Sequence, residues 1–322
     1  MKTSKQCLYC YKPLNDDQID FHPRCSKQFF NVETPPVLSL SKEELLDMAE
    51  KLTALSVTIP GVQPKLSLNL QVNPEDPKKS RLTIVGLWGQ YILKPQSEHY
   101  PSLPENEDLT MHLAELAGIK TASHSLLRTT SGQLAYITKR FDRVKGMKIP
   151  TEDFCQLMEV PSTGRSKYDS CTMEQVGKAI AKYSSVPGMD IISFFDISVF
   201  SFLIGNSDLH LKNLSMIKRE DNQYRLSPAY DLISSNLILG KYDLEQMALH
   251  VNGKKNKIRR KDFIALAENL KMASTMSEKI FSKYASLINE FGQLIQDSFL
   301  SDELKEQYIH LIKARATALD LI

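Results

Sequence analysis

No stretch of this sequence is both long and apolar enough to cross a bilayer. The longest apolar run, residues 191–205, falls short of the roughly 20 residues a spanning helix needs. It carries Asp196 in its middle, so it reads as a buried helix. Net charge is nearly absent: 40 basic against 38 acidic residues leave no global field to draw the chain to nucleic acid or an anionic membrane. The polar first six residues lack the apolar region of a secretory signal. The expectation is a cytoplasmic protein with no direct membrane or nucleic-acid partner. Five cysteines, an odd number, in a reducing compartment argue for thiol or metal-ligand roles over disulfides. Glycine is scarce where phosphate loops use it: residues 56–65 hold only Gly61 and match neither a Walker A loop nor the Gly-rich loop of eukaryotic protein kinases.

What is present is ample apolar material, 42% of 322 residues, enough for one large core or two smaller ones. Three segments differ in style. Residues 1–36 hold three of the cysteines and close on Pro35 and Pro36, the mark of a small module with a stiff linker. Residues 37–150 open with a capping box at 41–44 that predicts a helix to about Ser56. They continue as candidate strands at 65–70, 81–87, 91–94 and 134–141. One helix interrupts them at 104–117, with Leu109, Leu113, Leu116 and Ala117 on one face and Gly118 at its end. Residues 151–322 turn helical, at 171–183, 189–204, 261–270, 275–298 and 302–321. The predicted class is α+β, a small mixed lobe followed by a larger helical one. The basic run 254–261 reads as a solvated loop, and Phe194, Phe195, Phe200 and Phe202 read as core.

The chemistry concentrates at residues 205–213, Gly-Asn-Ser-Asp-Leu-His-Leu-Lys-Asn, between the apolar helix and a short strand at 214–217. Phosphoryl transfer needs a carboxylate beside the attacking hydroxyl and, a few residues on, an amide oxygen for magnesium. Asp208 and Asn213 supply both, and Lys212 could neutralise phosphate charge. About one hairpin later, Asp231 after Pro-Ala-Tyr is placed as the second magnesium ligand. In the small lobe, Lys94 ends an apolar strand within reach of nucleotide phosphates, and Glu107 on the next helix could fix its direction, with Glu105 as competitor. Separately, Cys7, Cys10, His22 and Cys25 form a C-x2-C-x11-H-x2-C pattern able to close a tetrahedral zinc site, against the alternative of reduced structural thiols. Cys155 and Cys171 have no companions and read as core.

In order along the chain, Pro-Gly-Val-Gln-Pro-Lys at 60–65, Ile-Leu-Lys-Pro at 92–95, Lys-Arg-Phe-Asp-Arg at 139–143, Glu-Asp-Phe-Cys-Gln at 152–156, Asp-Leu-His-Leu-Lys-Asn at 208–213 and Pro-Ala-Tyr-Asp-Leu at 228–232 resemble HipA-type serine/threonine kinases. The match spans roughly residues 55–320. The resemblance implies a two-lobed protein-kinase-like fold binding ATP and Mg2+. In it Asp208 is the catalytic base, Asn213 and Asp231 hold magnesium, and Lys94 binds phosphates. Pro60, Gly61, Val62, Gln63, Pro64 and Lys65 cover the phosphates, Lys139 and Phe141 belong to the hinge beside adenine, and His210, Lys212 and Tyr230 line the nucleotide. It implies autophosphorylation before the loop glycine, at Thr58 or Ser56, which would place negative charge beside the ATP phosphates.

Family members are toxins that phosphorylate aminoacyl-tRNA synthetases and are restrained by a DNA-binding antitoxin. With only about 55 residues before the loop, the chain looks like a compact form whose missing small subdomain is a separate partner protein. Two departures from the family pattern are Thr58 in place of serine and Lys139 where an acidic residue is common. The nucleotide residues alone would equally suit a kinase of lipid or small-molecule hydroxyls. A pseudokinase binding module is the other alternative, opposed by the intact Asp208, Asn213, Asp231 and Lys94.

Overall fold

The computed structural model describes residues 5–38 and 65–322, apart from 74, 77, 78, 86, 87, 145, 163, 220 and 241–244. The predicted helix at 41–56, Ser56, Thr58 and the phosphate-loop residues 60–64 lie outside the described residues. The chain divides into two compact units: residues 1–108, 122–146 and 297–299 form the first, and 109–121, 147–296 and 300–322 the second.

The first unit is built on a six-stranded sheet. Its strands are β1 (Val37–Leu38), β2 (Leu66–Gln71), β3 (Arg81–Ile84), β4 (Tyr91–Lys94), β5 (His124–Arg128) and β6 (Leu134–Lys139), in the order β1-β3-β2-β4-β6-β5. β1 runs parallel to β3, and the remaining pairs are antiparallel. Registration brings Leu66, Leu93 and Ile137 side by side across three strands, all fully buried. Helix α1 (Pro23–Phe30) adds Phe29 and Phe30 to that core, with both rings within 6.0 Å of Tyr91. Residues 5–38 therefore share the sheet's core. A segment of that size cannot bury enough apolar surface alone, and it uses the sheet to do so. The small Cys/His-rich segment expected at 1–36 falls, in its described residues, within this unit.

Helix α2 (Leu103–Leu116) begins in the first unit and ends in the second, and Gly118, with φ of +76°, lies just beyond its end. Leu116, expected on its apolar face, is exposed.

The second unit carries a three-stranded antiparallel sheet, β7 (Thr151–Asp153), β8 (Ser215–Lys218) and β9 (Tyr224–Leu226), with β8 central. Around it stand short helices α3 (Phe154–Leu157) and α4 (Ser166–Asp169), then α5 (Met173–Tyr183), α6 (Pro187–Leu203), α7 (Ser235–Leu239), α8 (Arg260–Asn269), α9 (Ser274–Gln296) and α10 (Asp302–Ala318). Thr172 and Gln175 close a capping box at the start of α5. α6 is the apolar run noted in the sequence, with Phe194, Phe195, Phe200 and Phe202 fully buried. Its Asp196 is satisfied by Lys283 Nζ at 2.6 Å and the Tyr284 hydroxyl at 2.6 Å. Among the described residues no helix is long and apolar enough to cross a membrane. The basic run is not simply solvated: Lys254 pairs with Asp262, and Lys255 is buried against Asp169 and Glu245.

Candidate functional site

In the first unit, Lys94 is the last residue of β4, and its ammonium lies 2.5 Å from Glu107 Oε1 on α2. The two side chains are only 6% and 2% exposed. The Tyr136 ring, on the strand-paired residue of β6, lies 5.4 Å from the Lys94 nitrogen. A pair this buried loses much of its Coulomb gain to desolvation, so stability alone does not account for it. Glu107, and not the competing Glu105, is the partner. Glu105 has its Oε2 buried without a hydrogen-bond partner, and burial pushes its carboxyl up. Next along the helix, fully buried Asp108 accepts from the Tyr11 hydroxyl and lies at the same 2.7 Å from His124 Nδ1 on β5.

The segment expected beside adenine is tied to backbone on either side. The Lys139 amide donates to the Ser123 carbonyl and the Arg140 amide to the Gln90 carbonyl. Lys139 Nζ lies 5.9 Å from the centre of the Tyr91 ring, and burial pushes its pKa down. Phe141 is half-buried, and Lys65, just ahead of β2, is exposed. Also in this unit, the side chains of Cys7, Cys10, His22 and Cys25 converge, all potential ligand atoms lying within 4.8 Å of one another. Cys155 and Cys171 are buried free thiols.

In the second unit the loop after α6 turns at Gly205, whose φ is +71° and where a Cβ would approach Leu311 Cδ2 to 2.7 Å. Glycine takes this backbone without strain, and a side chain here would also have to displace Leu311 and crowd Asn236. Its carbonyl accepts from the Asn236 amide, and the Ser207 amide donates to the Ser235 hydroxyl, so α7 clamps the turn. The buried Asn206 carboxamide accepts from the Asp208 amide at 2.9 Å, which leaves the Asp208 side chain 45% exposed. Asn213, in a short 3-10 turn, donates its Nδ2 to the Asp208 carbonyl at 3.0 Å. That bond identifies the amide nitrogen and leaves Oδ1 as an acceptor.

Asp208 Oδ1 accepts a 2.6 Å hydrogen bond from Tyr168 on α4, and the Tyr168 ring meets His210 edge-on at 4.9 Å. His210 is buried, its Nε2 lies 3.9 Å from the same carboxylate oxygen, and burial pushes its pKa down against the pull of Asp208 and Asp231. Tyr230 spans the loop from below, its hydroxyl donating to the Lys212 carbonyl at 2.8 Å and lying 2.5 Å from Ser215 Oγ. Lys212 itself is exposed. Asp231 follows with φ of +58°, a left-handed conformation uncommon for a residue with a side chain and concentrated at functional sites. The oxygen donors Asn213 Oδ1 and Asp231 suit a hard divalent cation such as magnesium.

Tyr168, Tyr11, Asp108 and His124 carried no signal in the sequence. Their partners lie 40 residues away for Tyr168 and 97 for Tyr11.

Residues 57–291 match the HipA-like C-terminal domain family. A Haemophilus influenzae protein provisionally named a kinase is 28% identical over 245 residues, covering 71% of this chain and 68% of that one. The Sinorhizobium fredii protein Y4dM, also provisionally named a kinase, is 35% identical over 56% of this chain and 46% of its own length. This chain thus spans about half of that relative. Among solved structures, the chain resembles Shewanella oneidensis HipA, determined with HipB and operator DNA, with a TM-score of 0.65 at 20% identity over 81% of this chain and 65% of that one. The Helicobacter pylori proinflammatory kinase CtkA aligns with a TM-score of 0.52 at 17% identity, over 78% of this chain and 94% of that one. At these identities the structural likenesses establish a kinase-like fold.

Proposed function

The chain belongs to the HipA-like C-terminal domain family, and from that premise we propose that it is an ATP-dependent serine/threonine protein kinase. The observation that carries this reading is the buried Lys94–Glu107 pair, since protein kinases require a strand lysine and a helix glutamate in that relation before phosphate is transferred.

ATP with magnesium, when bound, supplies the transferable phosphoryl group and the neutralisation of its charge. The chain's own residues do the rest. Asp208 accepts the proton of the attacking hydroxyl; its exposure leaves it open to substrate while Asn206 and Tyr168 hold it in place. Asn213 Oδ1 and Asp231 offer the metal ligands. Lys94 binds phosphate oxygens, Lys212 adds positive charge on the exposed side of the loop, and His210 and Tyr230 line the nucleotide. The segment containing Lys139 and Phe141 flanks the adenine.

The substrate is a protein, for which an aminoacyl-tRNA synthetase is the leading candidate. The controlling partner is an antitoxin carrying a DNA-binding domain, in line with the HipB and operator DNA found with the Shewanella HipA. Ser56 or Thr58 receives phosphate when the enzyme silences itself. Phosphopeptide mass spectrometry on the chain purified with and without Asp208→Asn tests this. Phosphate on Ser56 or Thr58 only in the active form supports it; equal phosphate in both forms contradicts it.

A further inference from the structure

The four residues of the cysteine-rich start are placed as a metal site is placed. A tetrahedral zinc with ordinary bond lengths sets sulfur and nitrogen ligands about 3.5–3.8 Å apart. Cys10 Sγ and Cys25 Sγ lie 3.5 Å and 3.7 Å from His22 Nδ1, and Cys7 completes a set whose ligand atoms are all within 4.8 Å of each other.

The histidine is prepared for that role. Its Nε2 lies 3.0 Å from the Pro13 carbonyl, and only an N–H can make that bond, so Nδ1 presents its lone pair to the thiols. Both ligand pairs sit on ordered backbone. The first is a tight turn in which the Tyr11 amide donates to the Cys7 carbonyl, with Tyr11 at φ +62°. The second opens α1, with His22 at the N-cap and Pro23 in the first turn.

The same turn grips the functional side of the sheet unit. The Leu8 carbonyl accepts from the Leu126 amide and the Ser125 hydroxyl of β5. Tyr11, directly after Cys10, donates to Asp108, the neighbour of Glu107 on α2. We propose that Cys7, Cys10, His22 and Cys25 bind one structural zinc ion, and that the metal, through Tyr11 and Asp108, holds in place the helix that presents Glu107 to Lys94. Binding converts three thiols to thiolates and releases their protons to solvent, so it strengthens as pH rises. The metal site does not depend on the kinase reading.

Elemental analysis of the full chain, purified without added chelator, tests the first half: one zinc per chain is expected. Cobalt substitution should give the intense sulfur-to-metal charge-transfer absorption of a thiolate site. A metal-free native protein, or a disulfide among these cysteines, overturns the proposal. Cys10→Ser and Cys25→Ser should lose the metal but could unfold, so the second half is tested on Tyr11→Phe, which retains every ligand. Tyr11→Phe should keep its zinc while amide hydrogen exchange across Leu103–Leu116 speeds by about tenfold, the loss of one buried hydrogen bond to a carboxylate. Zinc removed from the wild type by chelator should have the same effect on that helix. Exchange there as slow as in the zinc-loaded wild type, in both samples, overturns the coupling. Neither readout uses phosphate transfer, so failure here is distinct from failure of the kinase assignment.

Discussion

Tyr168 holds the Asp208 carboxylate through a 2.6 Å hydrogen bond, reaching it from a helix 40 residues earlier in the chain. The bond fixes the rotamer of a side chain that is otherwise half in solvent. Under the proposed function, Tyr168 is a positioning residue that acts through Asp208. Tyr168→Phe should lower kcat for phosphate transfer by about tenfold, the scale of one hydrogen bond to a charged group. KM for ATP should stay unchanged. A change confined to KM would place Tyr168 on the nucleotide instead.

Lys94 and Glu107 should fail together. Removing either partner leaves an uncompensated buried charge, which costs about 3–5 kcal/mol. Lys94→Met and Glu107→Gln should each shift the urea midpoint strongly, while the double variant loses much less than the sum of the two. Equilibrium denaturation in a double-mutant cycle reads the difference.

The two neighbouring glutamates should behave oppositely at neutral pH. Burial raises the folded pKa of Glu105 above its ordinary 4.5. Its contribution to stability is therefore fully present below 4.5 and is lost as pH rises through the folded value. Glu105→Gln removes that loss and should make the protein more stable than wild type at neutral pH. The advantage should shrink toward acid, as read by denaturant midpoints at the two pH values.

His210 titrates with the opposite sign. Burial lowers its folded pKa from 6.5, so its contribution is present above 6.5 and is lost as pH falls through the folded value. Without nucleotide or magnesium, the melting temperature of the wild type should fall more steeply below 6.5 than that of His210→Asn. Parallel profiles would show that the buried imidazole is not the group responsible.

The sequence was most legible where covalent spacing fixes geometry. Asp208 and Asn213 share one loop, five residues apart, so their relation follows from a short stretch of backbone, and the apolar helix before them announces itself by composition. Strand β5 escaped notice because it is buried on both faces, His124 through Leu127, and has no alternation to read. The choice between Glu105 and Glu107 depended on which helix face meets β4, a tertiary fact. Tyr168, Tyr11 and His124 reach their carboxylates across long stretches of chain, and nothing local marks them. The lysines at 254 and 255 looked solvated because the carboxylates that neutralise them are distant in sequence or lie on the following helix.

The most direct measurement is transfer of γ-labelled phosphate from ATP by the purified chain, with and without magnesium, beside Asp208→Asn. The expected result is magnesium-dependent transfer to serine or threonine by the wild type, with none by the variant although it still binds ATP. Transfer that survives Asp208→Asn, or a wild type that binds magnesium-ATP and never turns it over, would contradict the account.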